Sequence, residues 1–145
     1  MFKATQNKII FVLAMAVGLF AIIWWINMPA YTNLENVIPD AKMSTQEFLS
    51  EVYLNESSVS EEFIEKTIEI NGVIDEITFK NNTYTLLLSG GENSKHILCE
   101  MRKGQETVLN TYKKNDSITI KGVYKGSLLD AIFLHCIIIE TRINE

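Results

Sequence analysis

Histidine, cysteine and proline occur only twice each in this 145-residue chain. No G-x-S-x-G, H-E-x-x-H or phosphate-binding loop is present, which removes the usual nucleophile, zinc-hydrolase and nucleotide arrangements. A triad needs a nucleophile, a base and an orienting acid converging on one cleft. The two histidines, His96 and His135, instead sit within apolar runs, KHILCEM and FLHCII. Acids such as Glu61, Glu62 and Glu65 read as a solvated helix face. The lack of C-x-x-C removes dithiol redox catalysis. Neither an enzyme activity nor a cofactor is expected.

Charge is missing from one long stretch. Ile9 to Met28, IIFVLAMAVGLFAIIWWINM, carries none, and Asn27 is its only strongly polar side chain. About 20 helical residues reach roughly 30 Å, the thickness of a bilayer's hydrocarbon core. Trp24 and Trp25 stand where an interfacial aromatic anchor belongs. A cleaved signal peptide would have a shorter apolar region and an A-x-A-like exit, whereas this exit reads NMPAY. No cysteine lies nearby for lipid attachment. Residues 9–28 are therefore expected to be an uncleaved transmembrane helix. Lys3 and Lys8 precede it, and residues 29–41 hold no Lys or Arg, so residues 1–8 stay in the cytoplasm and the rest crosses. In that compartment disulfides persist.

Beyond the span lie all 18 acidic residues but only 11 of the 13 basic ones, a formal balance of −7. Nucleic-acid binding draws most of its non-specific affinity from neutralised phosphates, so this balance argues against it. Residues 29–43 hold both prolines, show no periodicity, and read as a linker. Ser44 to Glu47, STQE, is a capping box. It opens an amphipathic helical segment, 44–65, with Phe48, Val52, Val59 and Phe63 near one face and a possible break at NESS, 55–58.

From residue 66 the period changes to two. The first strand, 66–78, is interrupted by Gly72, as at a bulge or bend. A turn at KNN, 80–82, leads to TYTLLLS, and SGGENS leads to KHILCEM. A short helix carrying Val108, Leu109 and Tyr112 follows, then SITIKGVYK and AIFLHCIII. Three strands, a helix and two strands, with bend-prone Gly72 and Gly122, fit a mainly β fold: a five-stranded OB-fold barrel over 66–145. Repeats and low-complexity tracts are absent.

The run from QEFLSEVYLNESSVSEEFIEKTIEINGVI through CEM and KKNDSITIKGVYKG to LLDAIFLHCIII resembles the tRNA_anti-like OB-fold family over about residues 45–140. Asn55-Glu56, Gly72, Cys99, Asp116, Lys121-Gly122 and Cys136 carry the likeness. The resemblance implies kinship with anticodon-binding barrels and exported or lipid-anchored bacterial relatives. It thus points to a bacterial cytoplasmic membrane, with the C-terminal domain on the periplasmic side.

Strand alternation constrains the scarce residues. Cys136 shares a phase with Ile132, Leu134 and Ile138, and His135 shares one with Phe133 and Ile137. Cys99 runs with Ile97 and Met101, opposite His96 and Leu98. Four ligands on opposite faces cannot surround one zinc, so no metal is expected. Side-by-side strands three and five would bring Cys99 and Cys136 together inside, as a disulfide or as two buried thiols. His96, Leu98, Phe133 and His135 are left outside, as a candidate partner surface or simply as a half-exposed sheet. The outward residues Leu87, Leu98, Phe133 and Ile137 would instead make an apolar patch. The amphipathic helix should cover that patch or plug one barrel end, unless helix and patch both face a partner.

The outward phase of strands two and three offers Thr83, Thr85, Leu87, His96, Leu98 and Glu100, with no Lys or Arg mid-strand; Tyr84 falls inward. Lys121 and Lys125, flanking Tyr124, are the best local basic feature. The expected function is a membrane-anchored, non-catalytic binding module for an envelope protein or glycan. Single-stranded nucleic-acid binding and a purely structural assembly role are the alternatives.

Overall fold

The computed structural model describes residues 2–26, 34–54, 58–91 and 95–139. They form two separate compact units, one ending at Thr32 and one beginning at Asn33. The first holds helix α1, Phe2–Ile26, 25 residues long. Its apolar side chains from Val12 to Ile26 are exposed, and Phe20 meets Trp24 edge-on at 6.1 Å. Among the described residues no helix is long and apolar enough to cross a membrane. Of the expected span 9–28, side chains are described only for 12–26.

The second unit is a five-stranded barrel with one added strand. Its strands are β1 (Ala41–Ser44), β2 (Thr67–Lys80), β3 (Thr83–Ser89), β4 (His96–Met101), β5 (Ser117–Ser127) and β6 (Ala131–Ile138). Helices α2 (Thr45–Leu54) and α3 (Ser58–Phe63) precede the barrel, and α4 (Glu106–Leu109) joins β4 to β5. The sheet order β1-β2-β3-β4-β6-β5 is closed by pairing of β2 with β5. Closure works because β2 changes partner along its length. Residues 67–73 pair with β5, and residues 74–80 pair with β3. One strand with two neighbours on opposite sides leaves the barrel without an open seam there.

The bends lie partly where glycine predicted them. At Gly122 the β5–β6 register shifts, as expected. At Gly72 it does not: the bulge in β2 falls between Ile74 and Glu76. Gly72 serves another need, because a Cβ there would collide with Thr45 Oγ1 at the start of α2. The β2–β3 turn puts Asn81 and Asn82 at φ of 52° and 61°, the left-handed pair of a type I′ hairpin.

The capping box forms as the sequence predicts. Ser44 N donates to Glu47 Oε2 at 2.7 Å, and Glu47 N donates to Ser44 Oγ at 3.2 Å. These bonds hold the Glu47 carboxyl below its ordinary ionisation range. The helix so started plugs a barrel end. Phe48 is fully buried, with its ring centroid 5.0 Å from Tyr124, 5.1 Å from Phe133 and 5.8 Å from Phe63. Helix α2 ends at Leu54 and α3 begins at Ser58; residues 55–57 of the expected break lie outside the described residues.

The linker expectation needs correction from Leu34 onward. Leu34–Asn36 form a 3-10 turn with Leu34 buried, and Ala41–Ser44 add a parallel strand to β2. Asp40 N donates to Thr67 O, and Thr67 N donates back to Asp40 Oδ2. Lys121, only 5% exposed, extends Nζ to the carbonyls of Leu34, Glu35 and Val37 at 3.0–3.4 Å. Three acceptors offset the desolvation of the ammonium. Leu34, Val123 and Ile137 are buried without joining the inner core, so this strap covers outer sheet that would otherwise be apolar and wet.

Candidate binding face

The outer surface of β2, β3 and β4 follows from register. Leu87 stands opposite Glu76 on one side and Leu98 on the other, and Leu98 stands opposite Ile132 on β6. The next row places Thr85 between Thr78 and Glu100. Leu87, Leu98 and Ile132 are half-buried, whereas Glu76, Thr78 and Glu100 are exposed. A shallow apolar stripe is thus rimmed by carboxylates.

His96 ends this face. Its Nε2 lies 3.5 Å from Asp75 Oδ2 and its Nδ1 lies 3.7 Å from Asp130 Oδ1, while its backbone N–H donates to Asp130 Oδ1 at 3.0 Å. The β2 bulge turns Asp75 toward the site, where Lys114 Nζ meets Asp75 Oδ1 at 3.0 Å. Hydrogen bonding and charge from Lys114 hold the Asp75 carboxyl below its usual range. Beside it the β5–β6 loop projects Leu128 and Leu129, 83% and 78% exposed. The loop is tied down at its backbone, since Tyr53 Oη and Lys95 Nζ each donate to Leu129 O at 3.1 Å. Lys95 also stands 4.9 Å over the Tyr53 ring.

Of the four residues expected on a partner surface, His96 and Leu98 lie on this face and Phe133 does not. Phe133 is fully buried, in contact with Phe48 and Tyr124. Register explains the difference. Cys99 pairs with Phe133 but Met101 pairs with Cys136, so β6 spends one more residue than β4 over this interval. The bulge, with His135 at φ 58°, reverses the alternation: Phe133 and Cys136 both face inward and His135 is exposed. Ile137, also expected outside, is covered.

Cys99 and Cys136 are both fully buried free thiols on neighbouring strands, Cys136 pairing with Met101, two residues along from Cys99. Burial, then the neighbouring sulfur, pushes the Cys99 thiol well above its ordinary ionisation range. The basic feature around Tyr124 dissolves. Lys121 is consumed by the strap, Lys125 Nζ lies 2.8 Å from both Glu65 oxygens, and Tyr124 is interior. The Tyr124 hydroxyl is buried without a formed hydrogen bond, Ser127 being beside it, and burial pushes its ionisation to higher pH.

Two features escaped the sequence. At the β2–β3 hairpin, Phe79 is 57% exposed and stacks on Tyr84 at 4.5 Å. Tyr84 shares a shallow depression with Arg102 and Lys103. Where β1 and β3 diverge along β2, a cleft of about 310 Å3 is lined by Ser44, Thr45, Gln46, Asn71, Gly72 and Val73, among others. Among the described residues its lining carries no charged side chain. Among the described residues no group of three or more His, Cys, Asp or Glu is placed to hold a metal ion.

The tRNA_anti-like family model matches residues 1–138. The chain belongs to the tRNA_anti-like family. Among solved structures it is similar to a lipoprotein of Klebsiella pneumoniae subsp. pneumoniae MGH 78578 described as presumptively nucleic acid-binding. That match has a TM-score of 0.58 at 14% identity and covers 78% of this chain and 100% of the other. A weaker likeness is to the OBody AM1L10 bound to hen egg-white lysozyme, with TM-score 0.46, 14% identity, and 73% and 100% coverage. Another is to the S. pombe Stn1-ten1 complex, with TM-score 0.42, 9% identity, and 51% and 58% coverage. Comparison with curated proteins gave no match. At 14% identity the likeness to the lipoprotein supports the fold of the family member, an OB-type barrel, and leaves its ligand to the site.

Proposed function

We propose that this family member is a membrane-anchored, extracytoplasmic and non-catalytic module that binds an envelope protein or glycan on the outer face of β2, β3 and β4. The observation that carries this reading is the charge of that face. Asp75, Glu76, Glu100 and Asp130 surround the Leu87–Leu98 stripe, and Lys114 is already engaged by Asp75. A phosphate backbone would meet carboxylates there, whereas a neutral or basic surface with an apolar centre would not be repelled. The anchor is the charge-free run 9–28, whose residues 9–26 belong to α1, oriented by Lys3 and Lys8. Its support is that α1 presents apolar side chains to its surroundings from Val12 to Ile26.

Single-stranded nucleic acid is the second reading, favoured by the exposed Phe79–Tyr84 stack beside Arg102 and Lys103. Titrating the detergent-solubilised full chain into fluorescent single-stranded DNA and RNA separates the two. The proposal expects no binding at about 10 μM protein and physiological salt, beyond the range of ordinary non-specific affinity. Micromolar affinity that weakens steeply with salt would transfer the function to the hairpin. Crosslinking in the native membrane then identifies the partner.

A further inference from the structure

The chain's two cysteines both lie in the barrel core, and neither serves the binding face. Strands β4 and β6 are parallel neighbours, and the β6 bulge at His135 carries Cys136 inward past Phe133, onto the Cys99 side of the core. Room for the sulfur is reserved. Cys136 Sγ lies 2.6 Å from where a Cβ on Gly122 would stand, so any larger residue at that β5 bulge would displace it. Both side chains are fully buried among apolar neighbours.

We propose that Cys99 and Cys136 are the site of a cross-strand disulfide, made on the folding chain rather than on the finished barrel. Cys99 faces Phe133 and Cys136 faces Met101 in the parallel ladder, so the two cysteines stand one same-face step apart on neighbouring strands, and bonding them asks for a local adjustment rather than an exchange of strand partners. The oxidant is a disulfide, either of low molecular weight or on an oxidoreductase. One cysteine thiolate attacks it, breaking its S–S bond and releasing one thiolate. The second cysteine thiolate then attacks the mixed disulfide, forming Sγ–Sγ and releasing the other. The two protons lost by the cysteines pass through solvent to the two released thiolates, so the oxidant's disulfide leaves as two thiols. The folded barrel resists this exchange, because the nucleophile is the thiolate and a buried neutral thiol is neither ionised nor accessible. The unfolded chain carries both thiols in water.

The test uses the full chain in detergent, reduced and unfolded in urea. One sample refolds in glutathione disulfide; the other refolds reduced and then receives the same oxidant. Both are unfolded, alkylated and weighed. The first should take up no alkyl group and carry no glutathione, and its Tm should fall by about 10 °C on reduction, as closing a long loop implies. The second should link at least tenfold more slowly. Two alkyl groups, or glutathione adducts, on the first sample overturn the pairing; equal rates overturn its timing. The cellular occurrence of the bond rests on the extracytoplasmic location proposed above. Chain alkylated in its native membrane should therefore be linked. If it is free there but links on refolding, the location fails and the pairing stands.

Discussion

The aromatics beneath α2 and the pair at the β2–β3 hairpin are the same residue types with opposite fates. Phe48, Tyr124 and Phe133 are closed over completely, each ring edge-on or tilted against the next. Phe79 and Tyr84 stack just as closely, yet Phe79 remains 57% exposed. The difference lies in what each group has next to it. A capped helix was spent on sealing the first, and nothing among the described residues seals the second. Buried rings contribute stability, whereas exposed rings at an open barrel end contribute little stability and remain available to a ligand.

The largest expected effect tests the sealed group. Phe48→Ala should cost about 3–5 kcal/mol, the usual loss for a buried Phe in a close-packed core. Urea unfolding followed by near-ultraviolet circular dichroism reads it directly. A loss under about 1 kcal/mol would mean that α2 is an ornament on a barrel that closes without it. Next comes the strap. Lys121→Met keeps the length of the side chain but leaves three carbonyls without their donor, and should cost about 1–3 kcal/mol. Hydrogen exchange should then quicken in 34–44 more than in β3 or β4; uniform quickening would deny the strap a separate role. The smallest effect belongs to Phe79→Ala, expected within about 0.5 kcal/mol of the parent by the same unfolding assay. A loss comparable with Phe48→Ala would erase the distinction between the two groups.

Much of the architecture was legible because it depends on short-range chemistry. Ser44 and Glu47 announced their reciprocal cap, Asn81-Asn82 its tight turn, and Ile97–Cys99–Met101 its inward phase. The plugged barrel end was foreseen as one of two resting places for Phe48. The face was less legible. Phe133 was misplaced because alternation was carried straight through His135, and a bulge leaves no mark when its extra residue is not glycine. The same blindness hid the turn of Asp75 toward His96. The strap was missed because its glue is Lys121 bonding backbone carbonyls 84–87 residues away, which no local pattern encodes.

Period, caps and turn residues settled on their own that this chain makes a helix with a long charge-free run, followed by strands able to close a barrel, because each acts over a few bonds of backbone. Register decided the rest: which of Phe133 and His135 meets water, that both thiols turn into one core, and that Glu76 and Glu100 flank the apolar stripe. Strand neighbours are chosen by the whole barrel at once, and a one-residue bulge exchanges inside for outside along everything that follows it.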